Sequence, residues 1–189
     1  MNVMIRRPQA GDQTELHSFF TRVLTHTFEK EGLMHLRDDL LQEIELKKQM
    51  LAADLMSSGT DRYFLLAVHP ADGNIVGTIE YGGTNDLIVA VTDGQMAGLI
   101  EAGTIFVAPE FQGKGLGTLL LNALILHFTG KGIKEFCMDS GYKRAQNIWK
   151  AKFGEPNFTS YNHWGENSHH MIWRVSVDSF AIKFSFPHV

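Results

Sequence analysis

The segment Thr104-Ile105-Phe106-Val107-Ala108-Pro109-Glu110-Phe111-Gln112-Gly113-Lys114-Gly115-Leu116-Gly117-Thr118 concentrates the chemistry that this sequence of 189 residues displays. An apolar strand stops at a proline, and a glycine-rich loop then opens directly into an apolar helix. Amides at a helix start are unpaired and point outward, and the helix dipole adds partial positive charge there. Glycines at 113, 115 and 117 remove the Cβ atoms that would keep an anion away from those amides. The residue types therefore form an anion cradle suited to a pyrophosphate. The spacing lacks the G-x-G-x-x-G of a dinucleotide fold and the Gly-Lys-Ser/Thr ending of a P-loop. A tight strand-to-helix turn with no ligand is the plainer alternative.

The full string Val107-Ala108-Pro109-Glu110-Phe111-Gln112-Gly113-Lys114-Gly115-Leu116-Gly117 resembles the acyl-CoA-binding motif of the GNAT superfamily of N-acetyltransferases. That pattern is roughly V-x-P-x-x-Q/R-G-x-G-x-G/A after a strand, and each fixed position is met. Ala145-Gln146-Asn147-Ile148-Trp149-Lys150-Ala151-Lys152-Phe153-Gly154 resembles the later helix of the family, often N-x-x-A-x-x-x-Y-x-K-x-G-F. Two positions depart from it: Tyr142 stands in the Asn slot and Trp149 in the Tyr slot. The resemblance runs from about Asn2 to Val175.

The resemblance implies transfer of an acetyl group from acetyl-CoA to an amine by direct attack, without a covalent enzyme intermediate. It implies that Gln112, Gly113, Lys114, Gly115, Leu116 and Gly117 hold the pyrophosphate, with Thr118 offering a hydroxyl. Ile105, Phe106 and Val107 would pair with the pantetheine arm as an added strand. Amines with pKa values of about 9–10 are mostly protonated at neutral pH, so a base or a water path must remove a proton. Glu101, eleven residues before Gln112, is the expected base, because some family members carry a catalytic glutamate at that spacing. Strand alternation places it on the face of Gly103, Ile105 and Val107. Glu80 is second. In many family members the Tyr of the later helix protonates the CoA thiolate. An indole N–H cannot do this, so Tyr142 is the expected donor, with water as the alternative. The acceptor would be a small-molecule or peptide amine. A non-catalytic acyl-CoA-binding module on the same fold is the competing function, favoured by Trp149.

Other reactive residues read as structural. Cys137 lies in an apolar strand with no cue for a depressed pKa, so it is expected to be buried and inert. His163, His169 and His170 match no zinc spacing, and no metal is expected. Trp164 and Trp173 are packing residues or acceptor-pocket walls. With 17 Lys+Arg against 21 Asp+Glu, a net charge of −4 and a pI near 6.1, the chain lacks the basic footprint of a nucleic-acid binder. The longest uncharged apolar run, 115–130, is shorter than the ~20 residues a membrane span needs, and Met1–Arg7 has no apolar stretch before its charges. A lone cysteine excludes an internal disulfide and fits a reducing cytoplasm. One domain, 1–189, is expected, as a monomer or homodimer.

The elements that must position these residues follow from periodicity. A first strand at Val3–Ile5 precedes a helix with Asp12 and Glu15 as its capping box and Leu16, Phe19, Phe20, Val23 and Leu24 on one face. A second helix follows Gly32. Strands are predicted at 63–68, 75–81, 87–91 and 101–108. An apolar helix spans 116–128. A short strand at 136–138, a helix carrying Ala145, Ile148, Trp149 and Phe153, and a strand at 171–175 complete the order. The expected class is α/β: a mixed, mainly antiparallel sheet flanked by helices, as in the GNAT-like fold.

Overall fold

A computed structural model describes residues 2–182. The chain runs β1 (Met4–Arg6), α1 (Gln13–Glu31), α2 (Arg37–Ser57), β2 (Arg62–Val68), β3 (Ile75–Gly83), α3 (Asp86–Val91), β4 (Ile100–Val107), α4 (Leu116–Lys131), β5 (Glu135–Ser140), α5 (Lys143–Phe153), β6 (Phe158–Ser160) and β7 (His170–Ser176). Among the described residues these seven strands form one sheet in the order β1-β2-β3-β4-β5-β7-β6. Every neighbouring pair is antiparallel except β4 and β5, which α4 connects in parallel. The mixed, mainly antiparallel class expected from sequence is therefore the observed one.

Alternation sorts the side chains of β2 and β3 to two faces. Phe64 and its partner Glu80 face α1, where Phe20 packs on Phe64 at 6.3 Å between ring centroids. Tyr63 and its partner Tyr81 face α4, where they meet His127 and Phe128. Phe136 of β5 packs on Phe128 of α4 and Phe153 of α5 on that second side. Helix α4 is apolar nearly all round because it lies in the core; Leu116, Leu120, Leu121, Leu124, Ile125 and Phe128 are all buried. Trp149 is buried too and stacks on Phe153.

Two local readings are corrected and one strand is added. Residues 87–91 form helix α3 instead of a strand. Asn85 caps it, its side chain accepting from the Ile88 amide at 2.8 Å, and Ile88 is fully buried. A short apolar run fits helix or strand equally well, and the cap decides. The capping box at Asp12 and Glu15 does not form. The Asp12 carboxylate instead takes Arg6 at 2.6 and 2.8 Å and the Gln9 amide at 2.7 Å, one turn before α1, and Glu15 reaches across to the Ile75 amide. Strand β6 was not anticipated; at three residues it offers no periodicity to read.

The second helix is tied to the sheet through a buried charge. Asp54 is fully buried, pairs with Arg7 at 2.7 Å and accepts the Phe64 amide at 3.0 Å. Asp54→Ala should lower unfolding free energy by about 1–3 kcal/mol in denaturant titrations, because it leaves the buried Phe64 amide without its acceptor, while Arg7 keeps the Phe64 carbonyl and the Tyr63 ring.

Candidate active site

Strand β4 pairs with β3 along one edge, but on its other edge it meets β5 only through Ile100↔Phe136 and Glu101↔Cys137. Beyond Glu101 the two strands part, which leaves the β4 edge from Ala102 to Val107 without a strand partner on that side. The same strand carries an irregularity. Its register with β3 jumps between Glu80↔Gly103 and Thr78↔Phe106, and Thr104 sits at φ 48°. A β-branched residue in the left-handed region is strained. Two hydrogen bonds hold it: Thr104 Oγ1 donates to Glu80 Oε1 at 3.2 Å, and the Thr104 carbonyl accepts from Thr78 Oγ1 at 2.9 Å.

This bulge corrects the alternation expected for β4. Glu101 and Gly103 face the same way as Glu80. Val107 pairs with Gly77, whose added Cβ would meet Leu120 and Leu116 of α4, so Val107 faces the opposite side. Ile105 shares that side with Val107, two residues apart. Glu101 therefore does not share a face with Ile105 and Val107, because the extra residue resets the alternation.

Glu101 is 6% exposed, and its Oε2 accepts the Asn85 amide at 2.8 Å. Burial, followed by the negative charge of Asp139, raises its pKa to about 7, against the pull of the Asn85 amide. A carboxyl that exchanges its proton near neutral pH has the affinity a general base needs. Glu80 is more deeply buried and is paired with Arg62 at 2.9 Å. Asp139, at the end of β5, accepts from Asn85 Nδ2 at 3.3 Å and contacts His170 Nε2 at 2.9 Å.

The loop lies at the other end of β4. Pro109–Phe111 make one 3-10 turn, and Gln112 Nε2 donates back to the Val107 carbonyl at 3.0 Å, folding the loop onto its strand. Gly115 caps α4 at φ 84°, a conformation that favours glycine. No atom lies within 4 Å of a Cβ built at Gly113 or Gly115, so the first-turn amides are approachable. Lys152 of α5 donates to Thr118 Oγ1 at 2.9 Å, bringing a cation to this helix start. Gln112 to Thr118, with Lys152, could hold a pyrophosphate, and the open edge at Ile105–Val107 could take an extended arm. Two surface concavities of about 640 and 420 Å³ flank α1 at Pro109 and at Phe111; neither is lined by Glu101 or Asp139.

Tyr142 is the N-cap residue of α5 and packs against the first two helices. Its ring packs edge-on to Phe28 at 6.0 Å, in the small apolar cluster that also touches Phe106 of β4. Its hydroxyl donates to Glu43, and the amides of Lys143 and Arg144 donate to Glu31. Burial and then the Glu43 charge push the phenol pKa far above its ordinary value.

Cys137 is fully buried beneath Ile88 and Met96, and burial raises its thiol pKa to about 11. It is thus a packing residue without a thiolate at neutral pH. Among the described residues no group of three or more His, Cys, Asp or Glu could hold a metal ion, and no helix is long and apolar enough to cross a membrane.

Sequence reasoning missed Asn85, Asp139 and Lys152 as site residues, and weighed His170 only as a metal ligand. The cap at Asn85 had a signal, an Asx pair before an apolar run. Asp139 and His170 had none, because only the β5–β7 pairing brings them together.

Residues 24–154, well over half of the chain, match the model of the acetyltransferase (GNAT) family. The chain belongs to the GNAT family. The segment matched contains β4, the glycine loop, α4 and α5, which build the site. Solved structures agree on the fold. A GNAT-family protein from Desulfovibrio desulfuricans superposes with a TM-score of 0.69 at 16% identity, covering 93% of this chain and 99% of that one. PaiA N-acetyltransferase from Thermoplasma acidophilum, in complex with coenzyme A, gives 0.63 at 17% identity, covering 93% and 100%. YncA from Salmonella typhimurium, with acetyl-CoA, gives 0.64 at 16% identity, covering 98% and 100%. Among curated protein sequences none matches the chain.

Proposed function

We propose that this GNAT-family chain is an acetyl-CoA-dependent N-acetyltransferase that acetylates a primary amine of a small molecule or peptide by direct attack. The observation that carries this reading is the buried carboxyl of Glu101, placed where β4 and β5 part, on the strand that leads into the glycine loop. Acetyl-CoA supplies the activated thioester. The amides of Gln112 to Gly117 and the Lys152 ammonium hold its pyrophosphate, while the open edge at Ile105–Val107 pairs with the pantetheine arm. Glu101 takes a proton from the acceptor ammonium, directly or through water. The freed amine nitrogen bonds to the acetyl carbon, strand amides stabilise the developing oxyanion, the nitrogen sheds its second proton to water, the carbon–sulfur bond breaks and the thiolate takes up a proton from Tyr142 or water. The net charge of −4 favours a cationic acceptor. The test is CoA release from acetyl-CoA across a panel of amines.

Tyr142 is the proposed proton donor to the thiolate. Its single hydroxyl hydrogen is engaged by Glu43, and burial with the Glu43 charge raises the phenol pKa, which disfavours proton release, so water competes; a CoA thiol with a pKa of about 8.5 leaves as an anion readily. Tyr142→Phe keeps the packing on Phe28 and decides between them. A fall in turnover of about tenfold or more supports Tyr142, and full activity assigns the proton to water. One observation favours the competing reading, a non-catalytic acyl-CoA-binding module: Trp149 is buried in the core, so it gives the later helix no acid. Tight acetyl-CoA binding without turnover on any amine would establish that reading.

A further inference from the structure

One line of side chains beside the site has no part in the reaction as proposed. It starts at the loop between β6 and β7, where Trp164 is 55% exposed. Its indole N–H donates to His170 Nδ1 at 3.1 Å. An indole nitrogen donates and does not accept, so Nδ1 must present its lone pair. The imidazole hydrogen then lies on Nε2, which donates to Asp139 Oδ2 at 2.9 Å. The hydrogen bond at one ring nitrogen thus fixes the state of the other. With one hydrogen, the ring brings no charge of its own to Asp139. The same Asp139 oxygen takes Asn85 Nδ2, and the Asn85 amide donates to Glu101 Oε2. His170 is 4% exposed, so its orientation is set by these partners. Gly141 makes room for the indole: a Cβ there would lie 2.7 Å from Trp164 Nε1.

We propose that Trp164, His170 and Asp139 form a positioning relay that holds one negative charge in place beside Glu101. The indole fixes the tautomer, the tautomer supplies the N–H that orients Asp139, and Asn85 couples Asp139 to Glu101. The groups around Glu101 come from four segments. Strand β3 contributes Glu80, whose charge is taken up by Arg62. Strand β5 contributes Asp139 and the un-ionised Cys137 thiol. The turn before α3 contributes Asn85, and β7 contributes His170 behind Asp139. Asp139 is the charge whose influence on Glu101 exceeds that of Glu80. The catalytic consequence of the relay rests on the reading of Glu101 as the base; its geometry does not.

NMR on the full chain tests it without reference to turnover. Side-chain ¹⁵N shifts should show His170 as the Nε2–H tautomer, and Trp164→Phe, on an exposed loop, should mix the tautomers. Following the Glu101 carboxyl carbon through pH, Asp139→Asn should lower its titration midpoint by about one pH unit, as expected when a close like charge is removed. His170→Ala should shift it the same way by releasing Asp139. His170→Gln should restore the midpoint, because its amide can accept from the indole and donate to the carboxylate. An Nδ1–H tautomer in the wild type, a midpoint unmoved by Asp139→Asn, or a His170→Gln midpoint displaced as far as that of His170→Ala overturns the relay. Should His170→Ala fail to fold, Trp164→Phe and Asp139→Asn decide it. Retained activity in Glu101→Gln would remove the base reading and leave these results standing by themselves.

Discussion

Glu101→Gln is expected to lower kcat/KM by about 10²–10⁴-fold, the range for a lost general base. Gln keeps the shape and can still accept the Asn85 amide, so the loss isolates proton transfer. In the wild type kcat/KM should fall below about pH 7, because the carboxyl must be ionised to accept a proton and its pKa is raised to about 7. The variant should lack that acid limb. An unaltered profile would exclude Glu101 and direct attention to Glu80. CoA affinity should change little, since the glycine loop lies at the far end of β4.

The same substitution should stabilise the fold. Glu101 holds its proton up to about pH 7 in the folded chain, but only to the ordinary glutamate value near 4.5 when unfolded. Between those values the folded state binds more protons, so stability falls as pH rises from about 4.5 through 7. Gln carries no such dependence. Glu101→Gln should therefore be more stable than the wild type above pH 7, by up to about 3 kcal/mol, with the gap closing towards pH 4.5. Denaturant titrations at pH 5 and pH 8 measure both arms. A base whose removal slows the reaction and firms the fold is the signature of a site selected against stability.

What the sequence disclosed divides along a physical line. The turn from β4 into α4 was legible because Gly, Pro and Gln spacing encodes backbone shape locally. The core helices were legible from their apolar periodicity; Leu16, Phe19, Phe20, Val23 and Leu24 are all buried. Segment 87–91 was misread because its apolar residues fit two periods and the deciding group, Asn85, lies outside the run. The bulge at Thr104 was hidden, since a β-branched residue at positive φ contradicts its own propensity and is held by Glu80 and Thr78 from the neighbouring strand. That hidden residue changed the face assigned to Ile105 and Val107. His170 and Asp139 lie 31 residues apart and meet through strand pairing alone, a relation that no local pattern carries.

Gly117→Glu is expected to abolish CoA binding while raising thermal stability. Gly115 and Gly113 are poorer test positions, because their φ values of 84° and 70° would strain any other residue and confound binding with folding. Gly117 lies in the first turn of α4 with an ordinary helical backbone, and an added Cβ would meet Val107 Cγ2 at 3.7 Å, a normal contact. Glutamate is a better helix former than glycine by about 0.5–1 kcal/mol, and a carboxylate in the first turn gains a further ~0.3–1 kcal/mol from the helix dipole. The melting temperature should therefore rise. The same carboxylate would occupy the amides that a pyrophosphate needs and repel its charge. Losing one or two charge-assisted hydrogen bonds corresponds to a weakening on the order of 10²-fold or more. Gly117→Ala separates the two effects, since it improves the helix without adding charge and should bind more tightly than Gly117→Glu. Calorimetric titration of CoA into each folded variant reads the outcome. Unchanged CoA affinity in a more stable Gly117→Glu would mean that the helix start is a structural turn and that the anion site lies elsewhere.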